Sequence, residues 1–186
     1  SPLLIFSDEA TYRAFWAKLA DTFNSEGPTP KTDGYSMLGI AGSFYDPRLG
    51  SARPVYVHEA CHALMTRLFG ISSEGDWLHE GLANYYQLRF TKQDLGVIAK
   101  TLVAQRQLIP LERLLNGRPI GMEHYAQAAL FMEWIMANST RKARLLPAIR
   151  SMAKAGSTVF EPAAKAHFGA GVRRIETSWI RWMQTR

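Results

Sequence analysis

Hydrophobic positions fall into two regimes along the chain. Near the start they come in short runs. Leu3-Leu4-Ile5-Phe6 predicts a buried strand, and residues 35–45 (Tyr-Ser-Met-Leu-Gly-Ile-Ala-Gly-Ser-Phe-Tyr) predict one or two strands broken by glycine. Between them, Ser7 predicts the cap of a helix over about residues 8–23, with Asp8 and Glu9 placed at its positive end. Glu26–Gly34, rich in Pro and Gly, reads as a loop, and Asp46-Pro47-Arg48-Leu49-Gly50 as a turn. Beyond residue 55 the pattern is helical: 55–69, stopped at Gly70, then 77–89. Thr91 with Asp94 predicts a capping box for a helix reaching about Gln107. Pro110 and Gly117-Arg118-Pro119 bracket a short helical turn and loop, and further helices are expected at about 122–138, 141–154, 158–167 and 171–184. Strands followed by helices predict an α+β fold, a small N-terminal sheet packed on a mainly helical body.

Composition narrows this picture. A chain of 186 residues that is 47% hydrophobic supports one domain with a substantial core, and 20% charged residues is not the profile of disorder. No run of 18 apolar residues occurs, so no transmembrane segment is expected. The net charge of +6 favours acidic partners or surfaces, yet Lys and Arg concentrate only at Arg141-Lys142-Ala143-Arg144 and Arg173-Arg174. With no nucleic-acid fingerprint beside them, they read as solvated surface and no nucleic-acid partner is expected. The chain begins at Ser1 without methionine, which reads as a processed product and leans toward an extracytoplasmic or secreted location. Nothing specifies an oligomeric state. The single cysteine, Cys61, excludes an internal disulfide and reads as a packed side chain.

Chemistry enters at His58-Glu59-Ala60-Cys61-His62. On a helix, residues four apart share a face about 6 Å apart along the axis, so both imidazoles can reach one cation at roughly 2.0–2.1 Å. Glu59 projects beside that cation, where it can take a proton from a zinc-bound water. Val55, Val57, Ala60, Ala63 and Leu64 make the segment apolar enough to be buried, where unpaired polar groups are costly. Two histidines leave tetrahedral zinc short of a protein ligand. Glu80, an acid among apolar neighbours in Trp77-Leu78-His79-Glu80-Gly81-Leu82-Ala83, supplies it, and a fourth position stays open. One Zn²⁺ per chain is therefore expected.

These residues resemble the gluzincin metallopeptidase signature, H-E-x-x-H followed by a glutamate ligand in a W-L-x-E-G-x-A context. Seventeen residues separate His62 from Glu80, slightly fewer than in the thermolysin or aminopeptidase N families. The pattern is closer to the peptidase MA-like group. There the later segments Tyr125-Ala126-Gln127-Ala128-Ala129-Leu130, Phe168-Gly169 and Trp179 also find counterparts, so the resemblance spans nearly the whole chain.

The resemblance implies a zincin-like fold and hydrolysis of peptides or unfolded protein. It implies that Gly39, Ile40, Ala41 and Gly42 form a sheet edge pairing with extended substrate. It implies an oxyanion donor beyond the third ligand: Tyr125 by the Y-A-Q-A match, with His124 as runner-up. Asn84, four residues after Glu80, matches a position that orients a zinc histidine. The aminopeptidase N family carries an amine-binding acid in the comparable strand. None occurs between Tyr35 and Tyr45, which favours an endopeptidase. His79 and His167 read as structural or exposed. The competing expectation is a catalytically weak or inactive peptide-binding module on the same fold.

Overall fold

Leu38 and Gly39 both adopt left-handed backbone, φ 52° and 74°. Two such residues in succession make the tight hairpin turn whose twist matches its strands. They join β2 (Gly34–Met37) antiparallel to β3 (Ile40–Phe44), with Met37 opposite Ile40 and Gly34 opposite Ser43. β1 (Leu3–Phe6) lies along the other side of β3 and runs parallel to it, Leu3 opposite Ala41 and Phe6 opposite Phe44. A parallel pair needs a crossover, and α1 (Glu9–Phe23) provides it. The computed structural model describes residues 1–28, 32–48, 54–72 and 75–186, and among these the three strands form one sheet in the order β1-β3-β2. Of the expected loop 26–34 and turn 46–50, residues 29–31 and 49–50 lie outside the described residues.

Each face of the sheet carries a helix. On one side Trp16 of α1 lies so close over Gly42 that a Cβ there would stand 2.9 Å from the indole. Tyr35 meets the same indole edge-on, with ring centroids 5.2 Å apart. On the other side α2 (Val55–Phe69) presses Val55 and Glu59 onto the backbone of Gly34. Asp8 caps α1 in place of Ser7: its carboxylate accepts from Thr11 N–H at 2.8 Å, and the Ser7 hydroxyl donates to it.

The helical body comprises α3 (Trp77–Phe90), α4 (Leu95–Ala104), α5 (Leu111–Leu114), α6 (Tyr125–Met136), α7 (Ser139–Lys154), α8 (Phe160–Ala163) and α9 (Val172–Gln184). Its core is a ring cluster of Trp77, Phe131, Phe160 and Trp179, all fully or almost fully buried. Gly81 brings α3 against α6, 3.1 Å from the Ala128 carbonyl oxygen to where a Cβ would be. Gln127 clamps the segment before α5, accepting from Ile109 N–H and donating to Ile109 C=O.

Several expected boundaries move. Thr91 closes α3, its hydroxyl donating back to Gln87 C=O, while Asp94 alone caps α4. A short carboxylate three residues nearer the helix is the better acceptor for its first N–H groups. A 3₁₀ turn at Met122–His124 leads into α6, and the expected helix at 158–167 is α8 followed by a π turn at Ala164–Phe168. The fold is α+β, as the order of strands and helices predicts. No helix among the described residues is long and apolar enough to cross a membrane.

Candidate metal centre

α2 and α3 lie antiparallel, Tyr56 at the start of one meeting Phe90 at the end of the other with ring centroids 6.0 Å apart. α2 ends at Gly70, whose left-handed backbone (φ 66°) sends its N–H to Thr66 C=O. His58 and His62, one turn apart, face α3, and their Nε2 atoms are 2.9 Å apart. α3 begins at Asp76, which accepts from Leu78 N–H (2.9 Å) and His79 N–H (3.1 Å). One turn on, Glu80 brings Oε2 to 3.3 Å from His58 Nε2 and Oε1 to 3.6 Å from His62 Nε2.

Donors about 2.0–2.1 Å from a tetrahedral ion stand roughly 3.3 Å from one another. The three separations, 2.9, 3.3 and 3.6 Å, bracket that value. Among the described residues, this is the cluster of three His, Cys, Asp or Glu donors close enough to hold a metal, all within 4.8 Å of one another. Glu80 is buried, and its Oε2 accepts no hydrogen bond from the protein. A buried carboxylate with one orphaned oxygen beside His58 and the other beside His62 is costly without a cation between them, so the residues fit a divalent metal with nitrogen and oxygen preference.

The site polarises its own groups. Burial, reinforced by the charges of His58 and His79, drives His62 down to about 3, so it stays a neutral imidazole, the form that can ligate a metal. Burial also works against the charged form of His58. The Glu80 carboxylate, the Glu59 charge and the Gln87 amide outweigh it and raise that residue. Glu59, 8% exposed, is pushed up to about 7 by burial and by the Glu80 charge, against the pull of His58. A carboxylate held near neutrality can both accept and return a proton.

Other expected residues fall variously around this centre. The Tyr125 phenol, at the first turn of α6, faces the Glu80 carboxylate; burial first, then that charge and hydrogen bond, push it up to about 12. His124 pairs instead with Glu123 at 3.7 Å, and its Nδ1 is buried without a partner. Asn84 turns back on its own helix, donating to Glu80 C=O at 2.9 Å. Besides Glu80, the side chain that reaches His58 from α3 is Gln87, absent from the sequence-based expectation. Its signal was available, since position +7 from Glu80 lies on the same helix face. His79 is fully buried, Nδ1 3.2 Å from Asp76 Oδ1 and Nε2 3.3 Å from Ile71 C=O. His167 lies in the π turn, its Nε2 buried without a partner. Cys61 is half-buried on the flank of α2, its thiol pushed up to about 11 by burial.

The expected substrate edge is corrected. Ile40, Ala41 and Gly42 belong to β3, which is flanked on both sides, and Gly39 belongs to the hairpin turn. Ala41 and Gly42 pair with β1 on one side and with β2 on the other. Among the described residues β1 and β2 each pair on one side only, and the first residue of β2, Gly34, abuts Glu59. No protein-family model, curated protein or solved structure matches the chain.

Proposed function

We propose that this chain is a zinc-dependent endopeptidase of zincin-like fold acting on extended or unfolded protein. The observation that carries the reading is the convergence of His58, His62 and Glu80 with Glu59 beside them. The three donors come from two helices, His58 and His62 from α2 and Glu80 from α3, and lie within 4.8 Å of one another. Zinc held there would supply a Lewis acid that polarises a carbonyl and eases deprotonation of water. Glu59, excluded from the donor set, takes that proton and returns it to the leaving amine. Tyr125 presents a phenol to the Glu80 carboxylate, a neutral donor for the developing oxyanion. The outer edge of β2 offers backbone groups to an extended chain, and Gly34, with no side chain, lets β2 itself lie against Glu59. No carboxylate occurs between Tyr35 and Tyr45, which supports internal cleavage over removal of an amino-terminal residue.

The test is zinc content by elemental analysis together with cleavage of casein, an unstructured protein, by wild type and Glu59→Gln. The expected result is one zinc in both and cleavage only by wild type. A chain that takes up no zinc overturns the metal site. A zinc-loaded wild type that leaves casein intact, or cleavage unaltered in Glu59→Gln, overturns the peptidase reading.

A further inference from the structure

α2 shows the sheet Glu59 and Ala63 and shows α3 its histidines, but its remaining flank is apolar and uncovered. Leu64 is 46% exposed and Leu68 67% exposed, one turn apart. Across from them α7 presents Leu146, 44% exposed, and α3 presents the half-exposed ring of Tyr86. Between these helices runs a trough of about 290 Å³ floored by Met65, Leu82 and Ile149. It continues through Phe69 and Leu146 into a second hollow of about 420 Å³ beside Leu68. Among the described residues, the charged side chains lining the two hollows are Lys142 and Arg150, both basic and both on the α7 rim.

We propose that this trough is a docking groove for an amphipathic helix of a partner protein, apolar on one face and acidic on its flanks. The proposal is independent of the metal centre and of the peptidase reading. Three physical points select this occupant. The walls are helices whose backbone groups are already bonded within themselves, so they offer an incoming chain no ladder. An extended segment would lay unpaired N–H and C=O groups on an apolar floor, at a cost a helix avoids by bonding its own backbone. Secondly, Leu64 and Leu68 with Leu146 stand on two roughly facing helices, so the surface is concave. It receives a rod about 10 Å across, whereas a bilayer surface would bridge over the floor without touching it. Thirdly, Lys142 and Arg150 at the rim complement carboxylates flanking the apolar stripe of the incoming helix. The basic excess of the chain as a whole, +6, argues against a second copy as the acidic partner.

The test uses the full chain and a fluorescein-labelled helical peptide of about 18 residues, leucine at i, i+3, i+4 and i+7 spacing and glutamate on its other faces. A second peptide has the same leucines with lysine in place of glutamate. Fluorescence anisotropy should show saturable binding of the acidic peptide and at least roughly tenfold weaker binding of the basic one. Leu64→Glu and Leu146→Glu, both at exposed positions, should each weaken it about tenfold or more with unchanged circular dichroism and thermal midpoint. Lys142→Glu with Arg150→Glu should reverse the preference between the peptides. Bound acidic peptide should also slow alkylation of Cys61, the chain's single cysteine, which lines the trough. The proposal is overturned by no saturable binding of the acidic peptide, by equal binding of both peptides, or by full binding in both leucine variants. It is overturned equally if Leu64→Glu abolishes self-association seen by sedimentation or binding to anionic phosphatidylserine vesicles, while peptide binding is unaffected.

Discussion

The Thr158 hydroxyl donates to the Asp76 carboxylate at 2.8 Å, tying the start of α3 to a residue eighty-two positions away. The same loop residue accepts from Trp77 Nε1 through its carbonyl at 2.7 Å. Both side chains are buried, so the pair forms a latch that fixes where α3 begins and hence where Glu80 stands one turn later. Thr158→Val keeps the shape and deletes the donor. It should cost about 1–3 kcal/mol of stability, the usual penalty for stranding a buried hydrogen-bonding partner. It should also weaken zinc binding, because the helix carrying Glu80 loses an anchor. Urea unfolding with and without zinc checks both, and an unshifted midpoint would refute the latch.

Asp76 also sets a pH dependence. Burial raises its pKa, but hydrogen bonds and charge from His79, with those from Thr158 and the backbone, outweigh it and hold the carboxyl below the ordinary aspartate value of 3.8. Its folded pKa therefore lies below its unfolded one. The stability it contributes is fully present above about pH 4 and is lost as pH falls through the folded value. Stability of wild type and Asp76→Asn, measured by urea unfolding from pH 7 downward, should differ by a constant amount to about pH 4 and converge below it. A gap that widens on acidification would mean that the carboxylate is not what stabilises this corner.

Gly34 is a packing requirement rather than a turn requirement, since its backbone is that of an ordinary strand. A methyl group there would sit 2.5 Å from Val55 Cγ1 and 2.6 Å from Glu59 Cγ. Gly34→Ala should therefore cost about 1–3 kcal/mol through overpacking. It should displace Glu59 and reduce turnover more than zinc affinity. A variant with normal stability and turnover would show that β2 can move away from α2 freely.

Zinc should stabilise the wild type, and Glu80→Ala should lose most of that effect. A ligand that binds only the folded state adds about 2.7 kcal/mol at a hundredfold excess over its Kd. Wild type should gain a corresponding rise in thermal midpoint on zinc addition and lose it to a chelator. Loss of one of three protein donors should remove most of this. A full zinc shift in the variant would move the third ligand elsewhere.

The parts of this site that were legible in the sequence are the parts that one helix encodes alone. His58 and His62 need only the four-residue spacing of α2, and Glu80 needs only a capped apolar helix nearby. Gln87 was missed for Asn84 because the choice depends on how α3 runs against α2. In an antiparallel pair, residues farther along α3 return toward the start of α2, so position +7 reaches His58 while +4 does not. The strands were legible as strands, but their order was not. β3 lies inside because α1 carries the chain over and sets β1 on its far side, a long-range pairing that leaves no local mark in residues 39–42. Asp8 and Asp94 displaced Ser7 and Thr91 as caps through competition within a few residues, where pattern alone ranks the candidates poorly.

Tyr125→Phe should slow the chemical step while leaving zinc content and fold intact. Its phenol faces Glu80, so it stands within one hydrogen-bonding step of the donor set, and the Glu80 charge and burial keep it protonated far above neutral pH. A protonated phenol there can shift its hydrogen bond from Glu80 to an oxygen that becomes negative during the reaction. Removing one such donor typically costs about 10²–10³-fold in turnover, roughly 3–4 kcal/mol. KM should change much less, because the interaction matures only in the transition state. A purely positioning role toward Glu80 makes a different forecast: zinc affinity would fall and kcat would recover at saturating metal. His124→Ala is the matched control. His124 is paired with Glu123 and, among the described residues, makes no hydrogen bond or ion pair with Glu59 or the three donors, so its loss should leave turnover within about twofold. Steady-state kinetics at saturating zinc on both variants decides the matter. A silent Tyr125→Phe beside a crippled His124→Ala would transfer the role to the histidine.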